Sequence, residues 1–492
     1  MSAAPQRSAL LTSVLGLARD LADENPAAAP ELREIADRAE QPLRVAIAGK
    51  VKAGKSTLLN ALVGDELAPT DAGECTKLVT WYQHGLVYKV GARFTDGGNE
   101  PLKFTREDGA IDVDLGDRDI STIERLTVEW PVKTLSEMTL IDTPGIASMS
   151  KDISARSHSF LSPDDEKSTP SGAVIYLLRH LHATDVSFLH SFQEDEYAQP
   201  SPINCVAVLS RADEVAVGRL DAMESATKIA NRYGQDPRLR RLVQTVMPVA
   251  GLLAQAGTGL RELEYRRLAK LAACPVEETE KLMLTADRFA NAETSADIDE
   301  AARRALLARL GLFGVRLAVH GIRTGDIDST AALATILREQ SGIDRLRSTL
   351  FDVFGARRDT LKARSALLAI QRLAAQTDTS AALDAEIERT IAGAHEFTEL
   401  ATLNDLRSGA LALSGDDLVD VERLIGASGS SIDKRLGLEP DMDPEKVKAK
   451  VIDEIGRWRE HAESPLTPPP LASAARVVVR SCEAMFMEVS QP

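Results

Sequence analysis

The residues best placed to do chemistry form one string, GKVKAGKS, from Gly49 to Ser56. It satisfies G-x-x-x-x-G-K-S, follows the β-branched run RVAIAG at Arg44 to Gly49, and precedes a helical stretch opening at Thr57. In a strand–loop–helix unit the glycines let backbone N–H groups turn inward around phosphate oxygens, the lysine supplies a point charge to the β/γ oxygens, and the serine hydroxyl reaches Mg²⁺. The pattern assigns phosphate contacts to Gly49, Val51, Ala53, Gly54, Lys55, Ser56 and Thr57, catalytic charge to Lys55 and a metal position to Ser56. A second string, DTPG from Asp142 to Gly145, ends the apolar run MTLID. There Asp142 is expected to hold Mg²⁺ through water, and the Gly145 N–H to sense the γ-phosphate. Between the two strings, LAPTDAGECTKLVT (Leu67 to Thr80) offers Thr70 and Thr76 for the Mg²⁺ shell, and Thr76 is preferred. The neighbouring Cys75 reads as a packing residue, since nothing around it lowers its pKa.

Together these strings define a phosphoryl-transfer site, and base selection is expected at the ends of the last two predicted strands. SRAD, Ser210 to Asp213, ends the run CVAVL and is similar to N/T-K-x-D with Ser and Arg substituted. A carboxylate at Asp213 can accept both hydrogens on the N1 and N2 edge of guanine, a pairing adenine does not offer, while the flat Arg211 covers the base face. Ala250 and Gly251, after VMPVA, supply N–H groups for the guanine O6. No glutamine follows DTPG to position an attacking water; Ile146, Ala147 and Ser148 stand there instead. Lys52, inside the phosphate loop, is the candidate to neutralise transition-state charge in cis. The expected ligands are GTP or GDP with Mg²⁺.

Positioning these residues requires a sheet. Short β-branched runs at 44–49, 78–83, 126–130, 138–142, 173–178, 205–209 and 246–250 alternate with helical stretches. Such alternation predicts a mostly parallel sheet covered by helices on both faces, an α/β phosphate-loop domain. Helical patterns at Ser8 to Glu24 and Pro30 to Gln41 precede it, and beyond about residue 252 the periodicity is all helical, predicting an all-α bundle. Ile343, Leu346, Leu350, Val353, Phe354, Leu361 and Leu368 predict one long helix with an apolar stripe.

Composition narrows the function classes. The chain has 492 residues with a net charge of −16, which argues against broad phosphate neutralisation, so no nucleic acid is expected as partner. The longest apolar stretches are broken by charge, as at Arg316 within Leu310 to Ile322, so no membrane-spanning segment is predicted. Ala9 to Ala18 reads as an amphipathic helix rather than a signal-peptide core, because Asp20, Asp23 and Glu24 follow at once. Cys75, Cys205, Cys274 and Cys482 fit neither a metal-ligand spacing nor a disulfide framework, which places the chain in a reducing compartment.

In this order GKVKAGKSTLLNALVG, LAPTDAGECTKLVT, DTPG and SRAD resemble the dynamin superfamily. EWPV, SRADE, FGVR, SGIDRLR and RLGL extend the likeness over nearly the whole chain, toward the mycobacterial isoniazid-inducible dynamin-like proteins. The resemblance implies a GTPase domain on a helical stalk, dimerisation or oligomerisation through the GTPase domain, and peripheral action on a phospholipid membrane. Its setting would be cytoplasmic, on the inner face of the cell membrane, in fusion, fission or repair linked to envelope stress. Val51 and Lys52 stand where eukaryotic dynamins have glutamine and serine, and Arg211 replaces a lysine. Expected domains are stalk-packing helices at 1–41, a GTPase domain at 42–346 with helical additions at about 252–340, and a bundle at 347–492, with about residue 275 as the rival domain end. Two alternatives stay open: a regulatory GTPase with a protein or RNA partner, and a low-turnover GTP-binding scaffold for a second dynamin-like protein.

Overall fold

The structure is a computed structural model that describes residues 8–490 except 66, 69–77, 108–109, 117, 144–171, 192–203, 356, 377–386, 391–392, 410, 412, 414 and 441. Strands β1 (Leu43–Gly49), β2 (Thr80–His84), β3 (Lys89–Phe94), β4 (Asn99–Glu107), β5 (Ala110–Asp114), β6 (Ile123–Trp130), β7 (Met138–Asp142), β8 (Ala173–Leu178), β9 (Cys205–Ser210) and β10 (Val246–Val249) form one sheet. Its order is β10-β9-β8-β1-β7-β2-β6-β3-β4-β5. The β10 to β7 half is parallel throughout. β2 then runs antiparallel to β7 but parallel to β6, and β3, β4 and β5 continue as an antiparallel meander.

The parallel half follows from its composition. AVIYLL and CVAVLS are buried at every position, as strands covered on both faces must be. On one face Val45, Ile47, Ile175 and Val208 pack with Leu58, Leu59 and Leu62 of the phosphate-loop helix Lys55–Val63, and with Ile343, Leu346 and Leu350. On the other, Ala46, Ala48, Tyr176 and Ala207 pack with Ala226, Ala230 and Leu239.

Two expectations need correction. The sequence predicts seven strands, whereas the described residues hold ten, the additional ones being β3 to β5. Their strings, KVGARF, NEPLKFTRE and AIDVD, are rich in charge and interrupted by Gly91 and Pro101, so they lack the apolar runs by which buried strands are recognised. The expected long helix is two helices, Ile343–Leu350 and Arg358–Gln376, separated by a π-helical turn at Phe351–Gly355. Leu346 and Leu350 face the sheet, whereas Ala363, Ala366, Leu367 and Ile370 face the bundle. Both halves keep three- and four-residue spacing, so periodicity alone does not reveal the break.

The bundle has its own core. Val14, Leu367, Leu403, Val421, Trp458 and Val478 are buried together there, so the helices Ala9–Glu24 and Ala29–Glu40 return to pack with C-terminal ones. Ser8 fixes this return: its N–H donates to Asp359 Oδ2 at 2.7 Å, and its hydroxyl caps the first helix through Leu11 N. A further cluster joins the helices between β10 and Ile343, centred on Leu253, Leu310, Phe313, Val319 and Leu333. Its longest helix, Glu300–Thr324, is long and apolar enough to cross a membrane by length and composition, but it supplies Leu306, Leu310, Phe313, Val315 and Val319 to this core.

Candidate nucleotide-binding site

The five parallel strands end on one edge of the sheet, and the predicted site residues collect there. β1 stops at Gly49, whose φ is +153°; a Cβ at this position would lie 2.8 Å from the Leu177 carbonyl oxygen, so only glycine lets the chain leave between β1 and β8. The loop then turns through Lys52 (φ +62°) and Gly54 (φ +93°) into the helix Lys55–Val63, whose first turn directs free N–H groups toward the loop. Lys55 Nζ donates back to the carbonyls of Gly49 (3.3 Å) and Lys50 (3.4 Å), the same loop whose phosphate cargo it would share. Burial lowers the Lys55 pKa, against the raising effect of Asp142.

Parallel pairing sets Ile47 of β1 opposite Asp142 of β7, which brings the Asp142 carboxylate beside the loop. Ser56 Oγ donates to Asp142 Oδ2 at 3.2 Å, while Asp142 Oδ1 is buried with no hydrogen-bond partner. Burial pushes the Asp142 carboxyl up to about 6, with Lys55 and the Ser56 hydrogen bond pulling the other way. A buried carboxylate oxygen left unpaired beside a serine hydroxyl fits a divalent cation with hard oxygen ligands. Thr143, next in the chain, is spent on structure, its hydroxyl donating to Ile47 O at 2.9 Å.

On the other side of the loop, Ser210 Oγ donates to Leu178 O at 3.2 Å, which locks the end of β9 to β8 and makes Ser210 a structural residue of the motif. Arg211 adopts a left-handed conformation (φ +52°) and reaches both Glu214 Oε1 (2.8 Å) and the Lys52 carbonyl (3.3 Å), bridging the base motif to the phosphate loop. Asp213 is buried, and burial pushes its carboxyl up to about 6. Ala250 N is engaged by Ser341 O at 2.9 Å, so it is not free for a base oxygen. Gly251 opens the helix Gly251–Gly259 and lies against Thr57, where a Cβ would sit 3.1 Å from the threonine methyl.

Lys52, Lys55, Ser56, Asp142, Ser210, Arg211, Asp213 and Gly251 are thus brought to one edge, with Val51 and the Lys52 side chain exposed and Ala53 buried beneath. Thr76, Gly145, Thr70 and Cys75 lie outside the described residues. A further charged pair belongs to the loop, one that no sequence motif signals. Lys50 Nζ lies 3.0 Å from Asp185 Oδ2, and Asp185, only 1% exposed, also accepts from Tyr176 Oη (2.8 Å) and His182 N (3.0 Å).

The family profile described as "Dynamin family" matches residues 45–166. The Isoniazid-induced protein IniC of Mycobacterium tuberculosis is 38% identical over 462 residues, which cover 94% of this chain and 93% of that protein. The chain belongs to the dynamin superfamily, on its bacterial IniC-like branch. It is a GTPase of dynamin type and binds GTP and GDP. A bacterial dynamin-like protein of Nostoc punctiforme is 30% identical across 21% of this chain and 16% of that one. A solved oligomerised bacterial dynamin pair, at 13% identity, covers 98% of this chain and 76% of its own with a TM-score of 0.35.

Proposed function

We propose that this dynamin-like GTPase couples GTP hydrolysis, through nucleotide-dependent pairing of two copies, to motion of its helical bundle at a phospholipid surface. The observation that carries the reading is at the far end of the phosphate-loop helix. Arg347 Nη2 donates to Ala61 O (2.6 Å) and Leu62 O (3.2 Å), closing the C-terminus of the helix that Lys55 begins. Arg347 belongs to Ile343–Leu350, which runs through the π-helical turn into Arg358–Gln376 of the bundle. A shift of the phosphate loop on nucleotide binding therefore has a short, packed route to the bundle. The change of packing partner across that turn, from sheet to bundle, supports a lever, and a role in envelope stress is part of the same proposal. The setting that fits is the cytoplasmic side of the cell membrane, with peripheral contact.

Within this reading Lys55 and the loop amides hold the β- and γ-phosphates, Asp213 selects guanine, and Arg211 covers the base. Ser56 and Asp142 would hold Mg²⁺, with Thr76 completing the shell; the ion, when bound, offsets the charge that builds on the phosphate oxygens. Among the described residues there is no group of three or more His, Cys, Asp or Glu side chains that could hold a metal ion.

The test is phosphate release from GTP and ATP over a range of protein concentrations, with and without anionic liposomes. GTP turnover that rises with concentration or lipid supports the reading. Tight GTP binding with flat, negligible turnover would instead favour a scaffold for a second dynamin-like protein, an alternative kept by the Ile146, Ala147, Ser148 run where a water-positioning glutamine would stand. Preference for ATP would overturn the role given to Asp213.

A further inference from the structure

The base motif rests on a helix about a hundred residues downstream. Glu300–Thr324 is interrupted at Gly311, which has φ +64° and ψ +174°, a combination essentially restricted to glycine. The break lies against the base motif, because a Cβ at Gly311 would stand 3.2 Å from Asp213 Oδ2, tighter than an ordinary contact.

One turn further along the same helix, Arg316 holds the segment that follows Asp213. Ala216, Val217 and Gly218 are three successive left-handed residues, with φ of +51°, +59° and +65°. For a β-branched valine this is an outlier, and Val217 gains nothing by burial, being 71% exposed. The turn persists because Arg316 Nη1 donates to Val217 O (2.7 Å) and Gly218 O (2.6 Å), while its Nε donates to Met283 O at 3.1 Å and its Nη2 to Met283 O and Leu284 O. Gly218 completes the fit: a Cβ there would meet Asp213 O at 3.3 Å and Phe313 N at 3.4 Å. Strain held by a polar clamp beside a recognition residue is a feature expected of sites that need a fixed geometry.

We propose that the helix Glu300–Thr324 is a guanine-selectivity element, in which the break at Gly311 gives the Asp213 carboxylate its place and Arg316 fixes the turn behind it. Gly311 and Arg316 are positioning residues that act through Asp213. The inference rests on Asp213 as the guanine contact. Such a contact requires both carboxylate oxygens in register with the N1 and N2 hydrogens; inosine lacks the 2-amino group and uses only one of them. Displacing the carboxylate therefore costs guanine more than hypoxanthine, whereas general damage to the site weakens both alike.

The experiment measures the dissociation constants of GDP, IDP and XDP by calorimetry on the full chain, for the wild type and for Gly311→Ala, Arg316→Gln, Arg316→Lys and Asp213→Asn. The expected result for Gly311→Ala and Arg316→Gln is a loss of about tenfold for GDP against a few-fold at most for IDP, with Arg316→Lys recovering part of the preference. Equal losses for GDP and IDP, or an unchanged ratio, would overturn the proposal. Asp213→Asn tests the foundation separately: an amide accepts from N1–H and donates to the xanthine 2-oxo group, so XDP should displace GDP as the preferred ligand. If it does not, the guanine role of Asp213 and the proposal fall together. If it does while the Gly311 and Arg316 variants keep the wild-type ratio, only the helix proposal fails. Should Gly311→Ala fail to fold, the two Arg316 variants decide the matter.

Discussion

Lys50 and Asp185 form a partly buried ion pair that ties the second residue of the phosphate loop to the first turn of the helix Ala183–Ser191, 135 positions away. Because Asp185 also accepts from Tyr176 and His182, its carboxylate is satisfied only while all three donors are in place. Lys50→Ala leaves a buried carboxylate without its cation and should cost about 2 to 4 kcal/mol of stability. Asp185→Asn keeps an acceptor for the His182 N–H on one side, and on the other its NH2 can donate to the Tyr176 hydroxyl oxygen, so it should cost less. Thermal unfolding of both variants checks the order; a Lys50→Ala protein as stable as the wild type would show that the pair contributes nothing. In Lys50→Ala the GDP affinity should fall as well, because the loop loses the anchor that precedes Lys52 and Gly54.

The unpaired Asp142 Oδ1 makes a prediction with a definite pH sign. Its carboxyl is raised to about 6 from an ordinary 3.8 by burial, so the folded, nucleotide-free protein holds this proton more tightly than the unfolded chain does. The associated stability is present in full below the unfolded pKa and is lost as pH rises through about 6. Asp142→Asn should then stabilise the nucleotide-free protein at pH 8, by on the order of 2 kcal/mol, with the gain vanishing near pH 4. The same variant should lose the Mg²⁺ dependence of GTP binding. In the wild type, Mg²⁺-dependent affinity should weaken up to about tenfold per pH unit below 6 as the proton competes with the ion. Unfolding curves at three pH values, with nucleotide titrations in magnesium and in chelator, measure both effects.

The contrast between Asp142 and the residues around it explains what the sequence could disclose. Gly49, Lys55, Ser56 and Asp142 are legible because phosphate binding demands fixed residue types at fixed local spacing, and the strands beneath them are uniformly apolar. Asp185 and Arg347 are not, since Lys50 and Ala61, which they meet, are 135 and 286 positions away, and a single aspartate in HATD or arginine in SGIDRLR carries no signal of such a partner. β3 to β5 escaped for a related reason: a meander beyond the parallel half carries Lys, Arg and Glu between its few core residues, so the apolar signal is diluted. The break at Phe351–Gly355 is invisible because the stripe on each side has the same period and only the partner changes. Ala250 shows the limit of motif transfer, its N–H being used by Ser341.

Arg347 sets a prediction about coupling. Its guanidinium satisfies two carbonyls at the C-terminus of the phosphate-loop helix, groups that otherwise lack intrahelical partners. Arg347→Ala should cost about 1 to 3 kcal/mol, and hydrogen exchange should quicken at the last turn of Lys55–Val63 and in Phe351–Gly355 beyond it. Arg347→Lys retains charge but not the two-carbonyl reach and should recover less than half of the loss. Faster exchange confined to residues near 347, with Lys55–Val63 unchanged, would break the proposed route from loop to bundle.

Lys52 and Lys55 should separate binding from turnover. Lys55 is drawn into the loop, whereas Lys52 is exposed and makes no ion pair with another described residue; only its carbonyl is engaged, by Arg211. Lys55→Ala should abolish GTP binding and turnover together. Lys52→Ala should keep GDP affinity within a few-fold yet lower kcat by about a hundredfold, the typical cost of removing one charge-stabilising donor. The left-handed conformation of Lys52 supplies the control, because Lys52→Gly removes the charge and relieves the backbone at once. If the ammonium acts on the reacting phosphates, the glycine and alanine variants lose turnover equally and Lys52→Arg restores part of it. If the residue matters only for the shape of the loop, Lys52→Gly turns over like the wild type, and a cis-acting cation at this position is ruled out.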